Sequence, residues 1–119
     1  MENLGLVMFN NVYKDKKILV TGHTGFKGSW LVSWLIKLGA NVVGISKDIP
    51  TNPSMFNELK LKEKIGHYQQ DIRDLPKITE IIAIEKPDFL FHLAAQAIVS
   101  KSYVDPIETI SSNVMGTAN

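Results

Sequence analysis

Lys17-Ile18-Leu19-Val20-Thr21-Gly22-His23-Thr24-Gly25-Phe26-Lys27-Gly28 is the stretch that decides the fold. Its first five residues form a short apolar run, as expected of a strand covered on both faces. Glycines then punctuate the chain. Gly22 permits a tight turn, Gly25 lets the backbone come close to a pyrophosphate, and Gly28 lets a helix pack closely on the sheet. The helix expected next runs from Lys27 to Leu38. Leu31, Leu35 and Leu38 recur at i, i+4 and i+7, and Val32 and Ile36 widen the stripe. Gly39 is placed to end it in the left-handed conformation. The free N–H groups of Phe26 and Lys27, with the helix dipole behind them, would face a phosphate. The alternative is an ordinary Gly-rich turn with no ligand. The spacing differs from G-x-G-x-x-G: Thr24 occupies the place of the middle glycine.

Working outward, β-type and helical runs alternate. A second strand is expected at Asn41–Ser46. The loop Lys47–Pro53 carries Pro50 and Pro53, and a short helix follows at Ser54–Leu61. A third strand covers Ile65–Gln70. Asp74 caps a helix reaching Glu85, with Ile78, Ile81 and Ile82 inward, and Lys86-Pro87 stops it. The fourth strand is Asp88–Leu93. Asp105-Pro106-Ile107-Glu108 then starts a helix still running at Asn119: Asp caps, Pro suits the first turn, and Glu lies three residues past the cap. Such alternation predicts an α/β fold, a Rossmann-type doubly wound parallel sheet with helices on both faces. Right-handed crossovers give the strand order 3-2-1-4, with the second half of the sheet cut short. Residues 17–119 are expected to form this domain and 1–16 a loosely held lead-in, with Leu6–Phe9 packing on the domain.

Composition bounds the rest. The chain has 119 residues, 45% hydrophobic and 21% charged, as in an ordinary single-core globular domain. A net charge of +1 gives no footprint for nucleic acid or an anionic membrane. The absence of cysteine removes disulfides, thiolate metal sites and a thiol nucleophile, and fits a cytoplasmic protein. His23, His67 and His92 lie too far apart in sequence to read as a local metal site. No run is long enough for a membrane span, and the first ten residues do not read as a signal peptide.

The pattern T-G-x-x-G-F-x-G at Thr21–Gly28 resembles the extended short-chain dehydrogenase/reductase family. Asp71-Ile72-Arg73-Asp74 is similar to its D-x-R-D segment, Phe91-His92-Leu93-Ala94-Ala95-Gln96 to its H-L-A-A segment, and Asn113-Val114-Met115-Gly116-Thr117 to its N-V-x-G-T. Within the family, Gly22–Leu31, Thr51–Phe56 and Ser102–Pro106 look most like the CDP-glucose 4,6-dehydratases. The resemblance implies NAD as cofactor, with Gly22, Thr24, Gly25, Phe26, Lys27 and Gly28 around its pyrophosphate. It places Asp71 and the backbone of Ile72 at the adenine, and Leu93, Ala94, Ala95 and Gln96 under the ribose and nicotinamide. Asn113 would brace the catalytic region. It further implies a nucleotide-sugar substrate, CDP-glucose, and a homo-oligomer for the full-length enzyme.

Counting from the Gly turn, the place of the ribose-binding acid at the end of the second strand falls on Ser46, with Lys47 and Asp48 after it. Lys47 could pair with a 2′-phosphate, so chemistry alone leaves NADP open, whereas the resemblance favours NAD. Asp71 reads either as a ligand for adenine or as a helix cap, a task that Asp74 alone can do. Gln96 lies at the carboxyl edge of the sheet, where ligands bind. Trp30 and Trp34 read as packing residues, His92 as a strand-end residue satisfied by the backbone, and Lys62 and Lys101 as solvated.

The family's catalytic Y-x-x-x-K is the departure. Tyr13 has Lys17 at the fourth place but precedes the first strand, while Tyr68 and Tyr103 are followed there by Ile72 and Ile107. No catalytic residue is therefore assigned. In the complete enzymes that the resemblance implies, a Tyr with a lowered pKa takes the 4-hydroxyl proton as hydride leaves C4, water is lost across C5 and C6, and hydride returns to C6. This chain alone is expected to lack turnover. The alternatives are the cofactor half of a sugar-nucleotide epimerase or reductase, and a non-catalytic Rossmann interaction domain. A fourth strand left at the edge and an uncapped last helix predict marginal stability or self-association.

Overall fold

Four parallel strands make one sheet: β1 (Lys17–Thr21), β2 (Asn41–Ser46), β3 (Gly66–Gln69) and β4 (Phe89–His92), in the spatial order β3-β2-β1-β4. The computed structural model describes residues 7–119, so the expectation for Leu6 lies outside it. Thr21 registers with Ile45 of β2 and with His92 of β4, and Ser46 with Gln69 of β3. The order and the parallel sense are those expected from right-handed crossovers.

Side chains of a strand alternate between faces, and the core divides accordingly. Ile18, Val20 and Val42 meet Val32 and Leu35 of α1 (Phe26–Lys37), Phe56 of α2 (Met55–Glu58) and Leu61 of a 3₁₀ turn at Leu61–Glu63. On the other face Leu19, Val43 and Ile45 meet Ile72 and, from α3 (Leu75–Glu85), Ile78 and Ile81. Helices thus cover both faces. The buried stripe of α1 is Gly28, Ser29, Val32 and Leu35, while Leu31 and Ile36 flank it half-buried. Ile82, expected inward, is 38% exposed, because the sheet contact falls on the Ile78 and Ile81 side of α3. Trp30 and Trp34 lie on the outer face of α1, where Phe9 packs on Trp34 with ring centroids 5.6 Å apart.

The expected stops and caps form. Gly39 takes φ 82° after α1 and Asp74 Oδ1 accepts from Lys77 N at 3.2 Å, and Ser54, expected inside the short helix, caps it by accepting from Asn57 N. Asp74→Ala is expected to lower stability by about 1 kcal/mol, read as the urea midpoint at constant slope. An unmoved midpoint would show that this cap contributes nothing.

Two features differ from expectation. The described part of the lead-in is not loose throughout: Tyr13 packs on the core, with ring centroids 5.3 Å from Phe89 and 6.2 Å from Phe91. A short helix, α4 (Val99–Val104), precedes the one begun at Asp105, which runs as α5 (Pro106–Ile110), passes through a π turn at Ser111–Met115 and ends as α6 (Gly116–Ala118). Gly116 packs on Ile72, where a Cβ would meet Ile72 Cγ1 at 2.7 Å. β4 is a sheet edge, and Leu90 is 55% exposed.

Candidate functional site

Because the strands run in one direction, their carboxyl ends share an edge. Gly22 N donates to Ile45 O, Gln70 N to Ser46 O and Leu93 N to Thr21 O. The turns after β1, β2, β3 and β4 are therefore brought together. The chain crosses from one side of β1 to the other between β3 and β4, and a crevice opens at such a reversal in doubly wound sheets.

The three glycines of the first turn have different reasons to be glycine. Gly22 has φ 76°, and a Cβ there would lie 2.7 Å from Ala94 N. At Gly28 a Cβ would drive into the Gly22 carbonyl and lie 2.8 Å from His23 Cα. Both are fixed by the fold. Gly25 has an ordinary extended φ of −72°, and a Cβ would meet only Gly22 O, at 3.5 Å. The protein's own packing thus leaves the space beside Gly25 open. Gly25 is also the N-cap of α1 and supplies no side chain to it, so the N–H groups of Phe26 and Lys27 have no capping acceptor. Such a cradle can receive an anion brought from outside.

Hydroxyl groups lock the turns around it. Thr21 Oγ1 accepts from Leu93 N at 3.1 Å and Ala94 N at 3.2 Å, and lies 2.6 Å from His92 Nδ1. With two N–H groups already on that oxygen, its proton goes to Nδ1. His92 then donates from Nε2 to Thr117 Oγ1 at 2.9 Å, and Thr117 in turn donates to Asn113 O. His92 is therefore satisfied by side chains, not by backbone as expected. Thr24 Oγ1 donates to Asp48 O at 2.6 Å, with Ser46 Oγ also 2.6 Å away. Ser46 is buried and its hydroxyl is engaged with Thr24, so it does not point freely at a ribose.

In the turn after β3, Asp71 accepts from Arg73 N and Nε and makes an ion pair with Arg73 at 2.6 Å. The Arg73 guanidinium holds the Asp71 carboxyl below the usual carboxylate range. Asp71 is therefore engaged with Arg73, while Asp74 is the cap. Ile72 packs in the core, and its carbonyl accepts from Asn119. Beyond β4, the Gln96 side chain donates to Ile98 O and Thr109 Oγ1, while its backbone is held at both N and O by Asn113, at 2.7 and 3.0 Å. Asn113, expected to brace the catalytic region, thus ties the last helical stretch to the chain after β4 at Gln96. Lys101, expected to be solvated, pairs with Glu108 at 3.2 Å, and Lys47 pairs with the same carboxylate at 3.4 Å.

Sequence reasoning missed a buried cluster beneath the turn. His23 Nε2 lies 2.7 Å from His67 Nδ1, and Phe56 packs edge-on to His23 at 5.3 Å. His23 has no exposure, and its ring fills the space left by the absent side chain of Gly44. Burial lowers its pKa to about 4. Residues 44 apart in sequence meet because β2 lies between β1 and β3 and its Gly44, in register with His67, leaves room for the His23 ring, a relation that local spacing cannot reveal. Among the described residues no three His, Cys, Asp or Glu side chains gather as a metal site, and no helix is long and apolar enough to cross a membrane. An open depression of about 310 Å³ lies beside the turn, between Thr24 and Phe26 on one side and Thr51, Pro53 and Met55 on the other. Of the tyrosines, Tyr13 packs half-buried against the core, Tyr68 donates to Glu85 Oε1 and Tyr103 is exposed.

Comparison with known proteins agrees with this geometry. Residues 19–119 match the family described as GDP-mannose 4,6 dehydratase. The chain is 50% identical over 109 residues to a CDP-glucose 4,6-dehydratase of Salmonella typhimurium, a match covering 92% of this chain and 30% of that protein. Among solved structures, a UDP-glucose 4-epimerase of Thermotoga maritima with UDP-glucose superposes with a TM-score of 0.76 at 32% identity, covering 86% of this chain and 31% of the other. A UDP-glucose 4-epimerase of Thermus thermophilus in complex with NAD gives 0.76 at 26% identity, covering 86% and 31%. The chain thus spans about a third of the length of these relatives. With 101 of its residues matched, the chain belongs to the GDP-mannose 4,6 dehydratase family, among the extended short-chain dehydrogenases/reductases.

Proposed function

We propose that this chain is the NAD(H)-binding portion of a nucleotide-sugar 4,6-dehydratase acting on CDP-glucose, and that it has no turnover by itself. The observation that carries the cofactor reading is Gly25: the fold has no need of a glycine there, whereas a pyrophosphate lying against the backbone does. In this reading residues 17–119 are the cofactor domain and 1–16 its lead-in. The N–H groups of Phe26 and Lys27 hold the pyrophosphate. Gly22, Thr24 and Gly28 shape the turn around it, with Thr24 fixing the Ser46–Asp48 segment beside the adenine ribose. Asp71 and the Ile72 backbone border the adenine, and Leu93–Gln96, steadied by Thr21 and Asn113, border the nicotinamide. NAD bound there supplies the acceptor, and later the donor, of the sugar's hydride.

The dehydratase reading draws its support from the 50% identity to the Salmonella typhimurium enzyme. The likeness to epimerases of solved structure favours a second reading, the cofactor half of a sugar-nucleotide epimerase. These enzymes share this half, so the identity difference weighs toward the dehydratase. The cofactor reading is tested by calorimetric titration of the purified chain with NAD. Saturable one-to-one binding is expected, and a folded chain that takes up no NAD would overturn it. The substrate reading is tested on the complete protein, where CDP-glucose is expected to yield a 4-keto-6-deoxy sugar and a 4-epimer would favour the second reading.

A further inference from the structure

We propose that Glu108 sets the choice between NAD and NADP, by holding the Lys47 ammonium that would otherwise receive a 2′-phosphate. The inference rests on the cofactor reading above. Ser46 and Asp48 are fixed to Thr24 of the Gly turn, through Ser46 Oγ at 2.6 Å and Asp48 O at 2.6 Å. The residue between them is thereby carried to the rim where a Rossmann-type sheet reads the adenine ribose. That residue is a lysine, and a cation at this place is the usual means of accepting a 2′-phosphate. Its charge is already engaged: Lys47 Nζ lies 3.4 Å from Glu108 Oε1, across 61 residues of sequence.

Glu108 is spared for this contact. As the third residue of α5 it would ordinarily reach back to the backbone N–H of the cap residue. Asp105 N instead donates to Lys101 O, and Asp105 itself caps Glu108 N at 3.0 Å. The Glu108 carboxylate therefore faces Lys47 and Lys101 together. Asp71, close enough for the Lys47 charge to favour its ionised form, adds a second negative group, itself paired with Arg73. A 2′-phosphate entering beside Lys47 would have to displace Glu108 and would be repelled by it. The two hydroxyls of an NAD ribose carry no such charge and meet no such barrier.

The test is calorimetric titration of the chain with NAD and with NADP, for the wild type, Glu108→Gln, Lys47→Met and the double variant. Wild type is expected to favour NAD. Glu108→Gln is expected to strengthen NADP relative to NAD on the order of tenfold, as removal of one charge close to a dianion predicts, with NAD itself changed less than about twofold. That gain should vanish when Lys47 is also replaced, and should shrink in high salt. Asp105 still caps α5 in these variants, so their melting curves should match the wild type. An unchanged NADP:NAD ratio in Glu108→Gln, or a gain that survives loss of Lys47, overturns the proposal. A wild type that binds both equally also overturns it, leaving the cofactor reading in place. A wild type that binds neither overturns both.

Discussion

Gly25→Val is expected to leave the domain folded and to weaken NAD binding by roughly 100-fold or more, whereas Gly28→Ala is expected to cost about 3 kcal/mol of stability. The two glycines are three residues apart in one turn, and their difference separates ligand from fold. At Gly25 a Cβ meets nothing of the protein closer than 3.5 Å, and φ −72° suits any residue. Changing an N-cap glycine to an apolar residue lowers stability by about 0.5–1 kcal/mol. On the proposed cofactor reading, however, the valine methyl groups stand where the pyrophosphate would approach the N–H groups of Phe26 and Lys27. At Gly28 helix propensity argues the other way, since alanine is preferred to glycine by about 1 kcal/mol in a helix. Steric overlap outweighs it, because the new carbon meets backbone on both sides, the Gly22 carbonyl and His23 Cα, and neither can turn away. Urea denaturation and NAD titration of both variants check the pair. A stabilised Gly28→Ala, or a Gly25→Val that still binds NAD, would contradict the assignment of roles.

The same contrast marks how far the sequence was legible. The Gly turn, the caps at Asp74 and Asp105 and the stop at Gly39 are local signals that local chemistry suffices to read, and the strand order follows from the alternation of elements and the handedness of crossovers. The helix stripes were read to within about a residue: period 3.6 identifies a buried face, but the sheet decides which edge of that face it covers, and so Val32 displaced Leu31 and Ile82 was left outside. Polar partners were the hardest to read. Thr21 appeared as a strand residue, yet its hydroxyl organises the turn after β4 through contacts 71 to 73 residues away. Lys101 reads as solvated, and nothing near it or Lys47 in sequence names the partner they share, Glu108 of α5. The loose lead-in misled for a related reason: Tyr13 precedes every strand, but β4 supplies Phe89 and Phe91 to receive it. Each of these depends on which strands are neighbours, which the alternation of elements gives, and on side-chain geometry, which it does not.

Stability is expected to fall by roughly 1–2 kcal/mol between pH 7.5 and pH 5, because of His23. Its ring is buried in the fold, and desolvation lowers its pKa from 6.5 to about 4. His67, bonded to it at 2.7 Å, is shifted in the same direction by burial and by the nearby Lys62 charge. Between pH 6.5 and about 4 the unfolded chain therefore binds protons that the folded chain refuses, so stability is fully present above the unfolded value and is lost as the pH falls through this window. The acidic groups act lower. Arg73 beside Asp71, and Lys17 and Tyr68 beside Glu85, hold those carboxyls below their ordinary values of 3.8 and 4.5, so their contribution is lost only as the pH drops below that range. The loss down to pH 5 thus belongs to the histidines. His23→Gln keeps a polar group near His67 but cannot titrate. It is expected to be less stable than wild type at pH 7.5, because the ring packs against Gly44 and Phe56, and to lose less on going to pH 5. Urea midpoints of both proteins at the two pH values decide the matter, and a wild-type midpoint that does not move would remove the buried pair from the account. Because His23 lies between Gly22 and Thr24, protonating it acts on the turn that frames the cofactor cradle. A ligand bound only to the folded form adds the same stabilisation wherever its affinity is the same, so saturation with NAD should raise the urea midpoint at both pH values and leave the acid-driven loss in place.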